Sequence, residues 1–409
     1  MIKADDDRER MENSVGRPVR GGNFFDREDE QRRIWRRLET DHILMLAPRR
    51  VGKTSLLLRL ADDAGSHGYH ATYFSVADAQ REVDFVKKMI DALSLTPAAS
   101  SAIRKVSKGP LKRLFRHTRR IDAGPVSLEF DAGHEEAESQ WSVLGETVAK
   151  ALERVGGRWL LMVDELPIFL MTLLRSDRGA ARVKAFLNWF RELRNPADRN
   201  TDTRYICAGS IGLDAVVAQL QLGDTINDLN PIPLGAFSEE TAHAFLGAIG
   251  RSYGIELNDA VRNRILLRVG WPIPFYLQVV FSKLHEHVME TAAPLTPDMV
   301  DDVVKSLLSP TYRAYFDYWR QRLTEELGRP DDARAVALLN AVAPDIDGVT
   351  TPILNQVLAK HIADPLERDP KLRFLLDVLE NDGYIVKEEG RYRFRSALLR
   401  EYWVARVLP

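Results

Sequence analysis

The chain has one cysteine, Cys207, in 409 residues. That excludes an internal disulfide framework and any cysteine-rich zinc site, and it fits a reducing compartment. It has no uncharged apolar run of the roughly 18 residues a membrane-spanning helix needs. Its opening stretch, MIKADDDRERMENSVGRPVRGG, is charged where a signal peptide would carry its apolar region. Export and membrane spanning are therefore not expected, and a cytoplasmic location is. Charge of one sign is also lacking: 57 Lys plus Arg stand against 59 Asp plus Glu, a formal net charge of -2. No uniform field steers the molecule to nucleic acid or anionic lipid, so any basic surface must be local. Repeats of solenoid type are missing as well.

What is present is an ordinary folding composition, 45% hydrophobic and 28% charged. At about 150 residues per domain the length points to two or three domains. Residues 1–22 are highly charged, end in Gly21-Gly22, and read as a mobile lead-in without a core. From Phe24 to Leu38 the spacing of Ile34, Trp35 and Leu38 predicts a helix with one apolar stripe. His42 to Leu46 (HILML) is a short, nearly continuous apolar run, as in a parallel strand covered on both faces. His70 to Val76, Trp159 to Val163 and Tyr205 to Ala208 look similar, and Ile232 to Phe237 is a weaker run interrupted by Pro233. Helical patterns at Ser55 to Ala64 and Ala181 to Leu193 separate them, which predicts a parallel α/β sheet with right-handed crossovers over residues 23–237.

Beyond residue 237 the strand signals stop. Ser238 can cap a helix that stops at Gly250, a second run goes from Leu257 to Gly270, and Thr296-Pro297-Asp298 opens a third. A long amphipathic stretch, Thr311 to Leu327, follows, so residues 238–330 read as a helical lid with a connecting helix. Helices at about 333–343, 351–360 and 371–381 then precede YIVKEEGRYRFRS, two alternating runs joined by a Glu-Gly turn. Three helices and a hairpin over residues 331–409 outline a winged helix.

The strongest chemistry lies at Ala47, Pro48, Arg49, Arg50, Val51, Gly52, Lys53 and Thr54, between the first strand and a helix that begins with Ser55. Apart from Ala47 in place of glycine, the series matches the phosphate-loop pattern G-x-x-x-x-G-K-[ST]. A triphosphate concentrates negative charge, and such a loop aims backbone N–H groups and the positive end of a helix at it. Gly52 would allow close backbone approach, Lys53 would bridge the β and γ phosphates, and Thr54 would offer its hydroxyl to Mg²⁺.

Trp159 to Val163 runs into Asp164 and Glu165, the form of a Walker B motif. At the carboxyl edge of a parallel sheet, Asp164 would hold the Mg²⁺ shell and Glu165 would polarise the attacking water. The third strand ends at Ser210. If that strand lies between the first strand and the Walker B strand, Ser210 can reach the γ-phosphate or the water, the role usually called sensor 1. The alternative is a helix cap. Cys207 reads as a small buried hydrophobe.

The combination of Phe25-Asp26-Arg27-Glu28, APRRVGKT at 47–54, MVDE at 162–165, GSIGL at 209–213 and Gly270-Trp271-Pro272 resembles the archaeal-type P-loop ATPases near the AAA+ and STAND groups. The likeness covers about residues 24–280, and a C-terminal winged helix is typical of such proteins. It implies an ATP-dependent switch with Mg²⁺, in which Pro272 packs near the adenine. Two departures are Ala47 and Ser210, the latter where many relatives carry Asn or another polar residue. No Arg or Lys lies between Ser210 and Phe237, the segment in which AAA+ rings carry an arginine finger. Arg191 and Arg194 could serve a neighbouring copy instead, or be surface arginines.

Two basic segments remain. Arg104, Lys105, Lys108, Lys112, Arg113, Arg116, Arg119 and Arg120 come without an acid among them, and from Pro110 onward Leu111, Leu114 and Phe115 predict a helix with basic faces. Nucleic acid, an acidic protein partner and plain solvent are all open readings for it. In the hairpin, Arg391, Arg393 and Arg395 share a face beside Lys371 and Arg373, among many acids. A DNA reader or a protein-binding module would both fit. The expected function is an ATP-hydrolysing switch, with a DNA-binding regulator or loader as the alternative and a protein partner or homo-oligomer as its output.

Overall fold

The apolar runs form a parallel sheet. The computed structural model describes residues 11–108, 115–117, 128–130, 140–196, 202–209, 213–291 and 293–408. The chain divides into two units: Glu28–Leu46 with Leu56–Pro233, and Met1–Arg27 with Ala47–Ser55 and Leu234–Pro409.

The first unit is α/β. Its strands β1 (His42–Leu46), β2 (Tyr69–Ser75), β5 (Arg158–Asp164), β6 (Thr203–Gly209) and β7 (Leu229–Pro231) pair in the order β2-β5-β6-β1-β7, and every pairing is parallel. Alternation buries both faces. Leu44, Phe74, Leu161, Val163, Tyr205 and Cys207 face one core cluster, while Ile43, Met45, Leu160, Met162, Ile206 and Ala208 are buried on the other. Helix α1 (Glu28–Leu38) leads into β1, and the crossovers are helical: α2 (Lys53–Asp63), α3 (Glu82–Leu95), α4 (Pro97–Lys108), α5 (Trp141–Val155), α6 (Leu166–Leu174), α7 (Gly179–Arg194) and α8 (Leu213–Gln219). The core is aromatic around Phe85, whose ring meets Phe186 edge-on at 4.9 Å and Phe190 at 5.6 Å. Each such edge contact contributes about 0.5–1.5 kcal/mol beyond area burial. Cys207 is fully buried, and burial pushes its thiol up to about 12, so it is an inert hydrophobe at neutral pH.

Two expectations change. The strand expected over Ile232 to Phe237 lies earlier, at Leu229–Pro231. Ile232 N–H still donates to Leu44 O at 2.9 Å, but Pro233 has no donor, so the chain leaves the sheet there. The helix expected from Pro110 onward is a strand at its described part: β3 (Phe115–His117) pairs antiparallel with β4 (Leu128–Phe130). An antiparallel ladder satisfies that backbone without a helix. Residues 109–114 and 118–127 lie outside the described residues, so of the basic series Arg104 and Lys105 are seen exposed on α4.

Arg194 is not on the surface. It is buried and grips Asp228 with a fork of 2.7 and 2.8 Å, with a further bond to Thr225 O at 2.7 Å. This excludes it from service to a neighbour. Arg191 is half-buried and 3.8 Å from Asp224.

The second unit is helical with a small sheet. Helices α9 (Glu239–Ser252), α10 (Asp259–Val269), α11 (Pro274–Thr291), α12 (Pro297–Leu307) and α13 (Asp317–Leu327) come first. Their caps follow the sequence: Ser238, Asn258 and Thr296 side chains accept N–H bonds, and Gly270 closes α10 at φ 69°. The stretch from Thr311 is broken, a 3-10 turn at Pro310–Tyr315 before α13. Then come α14 (Asp331–Val342), β8 (Val349–Thr350), α15 (Thr351–Ala359), α16 (Pro365–Asn381), β9 (Ile385–Glu388), β10 (Arg391–Phe394) and α17 (Ala397–Arg406), the strands paired in the order β8-β10-β9. A buried ion pair, Arg322 to Asp382 at 2.9 and 3.1 Å, ties α13 to the turn after α16. The segment expected as a mobile lead-in is tied down from Met11. Met11 N–H donates to Ser252 Oγ, Asn13 N–H to Tyr253 Oη and Asn13 Nδ2 to Gln278 O, so polar groups of α9, the turn after it and α11 hold it.

Candidate functional site

In the loop, Ala47 and Val51 are buried as apolar anchors, and Lys53 and Ser55 are buried among the polar residues. Two residues take left-handed backbone, Arg50 at φ 65° and Gly52 at φ 97°. A Cβ on Gly52 would meet nothing within 4 Å. Its backbone angle, not space, therefore calls for glycine. The turn delivers the chain to α2, which starts at Lys53, so Lys53, Thr54 and Ser55 form the first turn of that helix, at the positive end of its dipole. The loop is braced within its own unit. Arg27, buried and at φ 79°, donates to Gly235 O at 2.7 Å and Val51 O at 3.3 Å, with its guanidinium 4.8 Å from the Phe237 ring centre. Val19 N–H donates to Ser55 Oγ at 3.1 Å. Pro48 packs beside Gly383, where a Cβ would stand 3.0 Å from its ring.

Pro272 follows the left-handed Gly270 and accepts the Phe237 N–H at 3.2 Å, joining the segment before α9 to the start of α11. Pro48 and Pro272 are thus fixed by backbone and ring contacts that leave their roles toward a ligand as expectations.

In the sheet unit, Asp164 ends β5, buried at 2% exposure. Its Oδ1 accepts the Glu165 N–H at 3.0 Å and its Oδ2 accepts the Tyr73 hydroxyl at 3.0 Å. Tyr73 sits on β2, beside β5. Glu165 takes φ 61° and ψ 33° at the cap position of α6, with Pro167 just inside that helix. For a residue with a side chain, left-handed backbone costs about 1–2 kcal/mol. Such strain is kept at sites where direction matters. β1 and β5 are parallel to the intervening β6, so both end on one edge of the sheet. That places β6 between the phosphate-loop strand and the Walker B strand, the position the sensor reading of Ser210 required. Ser210 itself lies outside the described residues.

Thr54 hydroxyl and Asp164 carboxylate are hard oxygen donors, the chemistry Mg²⁺ selects. Among the described residues no cluster of three or more His, Cys, Asp or Glu forms a metal cage. No described helix is long and apolar enough to cross a membrane.

Neither a family model nor a curated protein matches the chain. Solved structures do. A Walker-type ATPase of Pyrococcus abyssi superposes with a TM-score of 0.62 at 19% identity, covering 95% of this chain and 98% of that one. The Aeropyrum pernix ORC2 protein, solved with ADPNP and ADP, superposes with a TM-score of 0.51 at 13% identity, covering 94% and 96%. The fold is that of a P-loop NTPase. The features pattern reading missed are Arg27 as a loop brace, Tyr73 beneath Asp164, and the glycine at 383. Arg27 was visible as part of a motif. Nothing local marks the other two.

Proposed function

We infer that this chain is an ATP-binding and ATP-hydrolysing switch of the AAA+/STAND kind. The observation that carries the reading is the loop backbone: Gly52 at φ 97° immediately before an 11-residue helix opening at Lys53. A turn of that shape leading into a helix start is a site for a phosphate chain. The Walker B acids at the end of β5 support it from the sheet unit. Backbone N–H groups of the loop and Lys53 bind the β and γ phosphates, Thr54 and Asp164 hold Mg²⁺, and Glu165 orients and polarises the water for in-line attack. Mg²⁺ supplies neutralisation of the charge that develops on the phosphates. Ser210 is assigned to the γ-phosphate and Pro272 to the adenine by resemblance. We assign residues 23–237 to the ATPase domain, 238–330 to the lid, and 331–409 to a winged helix that transmits the nucleotide state.

The DNA-loader reading draws less support from the C-terminal module. Arg393 is paired with Glu388, Lys371 with Asp331, and Arg391 donates to Gly348 O, so those cations already have partners. We keep a protein partner or a second copy as the output of the switch.

Calorimetry with Mg-ATP and a phosphate-release assay test the assignment. Lys53→Ala is expected to weaken ATP binding by at least about tenfold, and Glu165→Gln to keep ATP while losing about 10²-fold or more in turnover. Equal binding and turnover by all three proteins would reject it.

A further inference from the structure

Arg50 occupies the fourth position of the loop, and its side chain enters an aromatic slot. Its guanidinium carbon lies 3.7 Å from the ring centre of Phe275 on α11 and 4.4 Å from that of Tyr318 on α13. Gly16 closes one edge: a Cβ there would stand 3.0 Å from Arg50 Nη1 and 3.4 Å from the Phe275 ring. Arg50 Nε is buried without a hydrogen-bond partner. Among the described residues no carboxylate pairs with this cation. Burial pulls its pKa below the ordinary arginine value, opposed by Tyr318 and Tyr276, yet a guanidinium stays charged at neutral pH.

Tyr318 does not serve Arg50 alone. Arg49 lies 5.3 Å from the same ring centre, and Arg322 Nη1 donates to the Tyr318 hydroxyl at 3.3 Å. Arg322 in turn forks onto Asp382, next to Gly383 at φ 87°. With no side chain, Gly383 admits both Trp271 and Pro48, whose atoms would lie 2.5 and 3.0 Å from a Cβ. The contacts thus leave the phosphate loop at Arg50, pass through α13, and return to it at Pro48.

Ring faces attract a guanidinium through their quadrupoles only. A phosphate offers full negative charge and in-plane acceptors matched to the guanidinium fork, the stronger host. Resting on the nucleotide reading above, we propose that Arg50 is a positioning residue for which the Phe275–Tyr318 slot and a bound triphosphate compete, so that nucleotide binding is coupled through Tyr318 to α13 and the turn at Asp382-Gly383. Every triphosphate that draws Arg50 off the rings removes one clamp between the loop and helices α11 and α13. Conversely, a partner that tightens the slot weakens nucleotide binding by the same factor.

Hydrogen exchange read by mass spectrometry on the full chain, with and without Mg-ATP, tests this beside calorimetry. In the parent protein Mg-ATP is expected to speed exchange of amides in 317–327 and 382–394 by about tenfold, the loss of one cation–π clamp. Phe275→Leu and Tyr318→Leu should show that faster exchange without nucleotide, gain nothing further from it, and bind Mg-ATP up to about tenfold more tightly. Tyr318→Phe keeps the ring and should keep the response. If Tyr318→Leu does not fold, Phe275→Leu and Tyr318→Phe carry the test. Mg-ATP bound with unchanged exchange in the parent protein, or a full response in Phe275→Leu, overturns the coupling. No Mg-ATP bound by the parent protein overturns the nucleotide reading itself.

Discussion

Two arginines, one in each unit, show how differently the chain treats a desolvated cation. Arg194 in the sheet unit lies over the Phe190 ring at 4.6 Å and is also locked into a carboxylate fork by Asp228. Burial alone would raise the Asp228 carboxyl, but the Arg194 bonds and the Asn195 amide outweigh it and hold the group below the usual carboxylate range. Arg50 in the other unit has the rings and, among the described residues, no carboxylate. A forked ion pair with matched geometry has one arrangement, whereas a ring-faced cation can exchange its host. The first holds a fold and the second leaves a residue available to a ligand.

The sharpest way to break that comparison is to remove the locked cation. Arg194→Ala leaves Asp228 half-buried without its main partner and opens a void, and is expected to cost about 3–5 kcal/mol of stability in chemical denaturation. Arg194→Met with Asp228→Leu should recover much of that loss, because burying neither charge is nearly neutral. A loss below about 1 kcal/mol for the single variant would mean the fork holds no more than a surface pair does.

A pH series sharpens the same side of the comparison. His42 Nδ1 accepts the Tyr205 N–H at 3.2 Å, so its proton sits on Nε2, which faces Arg194 O at 3.1 Å. Charging the ring would break the first bond and set a second cation beside Arg194. Burial and then Arg194 pull its pKa to about 4. Below about 6.5 the unfolded chain therefore binds a proton that the folded chain refuses. This contribution is whole above pH 6.5 and fades as pH falls towards 4, at up to about 1.4 kcal/mol per pH unit and about 3 kcal/mol in all. The loss tied to Asp228, whose folded pKa is depressed, comes lower, below about 3.9. Denaturation at pH 7 and pH 5 should thus differ in the parent protein and much less in His42→Gln.

Which of these features could be read beforehand follows from how local each one is. The sheet was legible because HILML and WLLMV are buried on both faces, and continuous apolarity is what that burial requires. The loop was legible because Gly52, Lys53 and Thr54 follow the phosphate-loop pattern, and the left-handed backbone at Gly52 is the angle for which that pattern keeps a glycine. The strand at Leu229–Pro231 was misplaced by a few residues because proline bounds a strand without saying on which side. Arg194 read as a surface or finger residue because its partner lies 34 positions on. The Arg50 slot was invisible for the same reason: Phe275 and Tyr318 look like ordinary apolar positions of two helices, and no pattern links them to residue 50.

The smallest effect tests the other side of the comparison. Arg50→Met removes the charge while keeping an unbranched side chain that can still fill the slot between the rings. It forfeits a cation–π contact and relieves a desolvated cation, two terms of opposite sign, so the net change in stability should stay within about 1 kcal/mol. Set against the loss expected for Arg194→Ala, that near-neutral result would mean the energy held in the slot is small enough for a ligand to outbid. A loss as large as that of Arg194 would instead mark Arg50 as a structural cation, fixed in place, and the difference between the two regions would vanish.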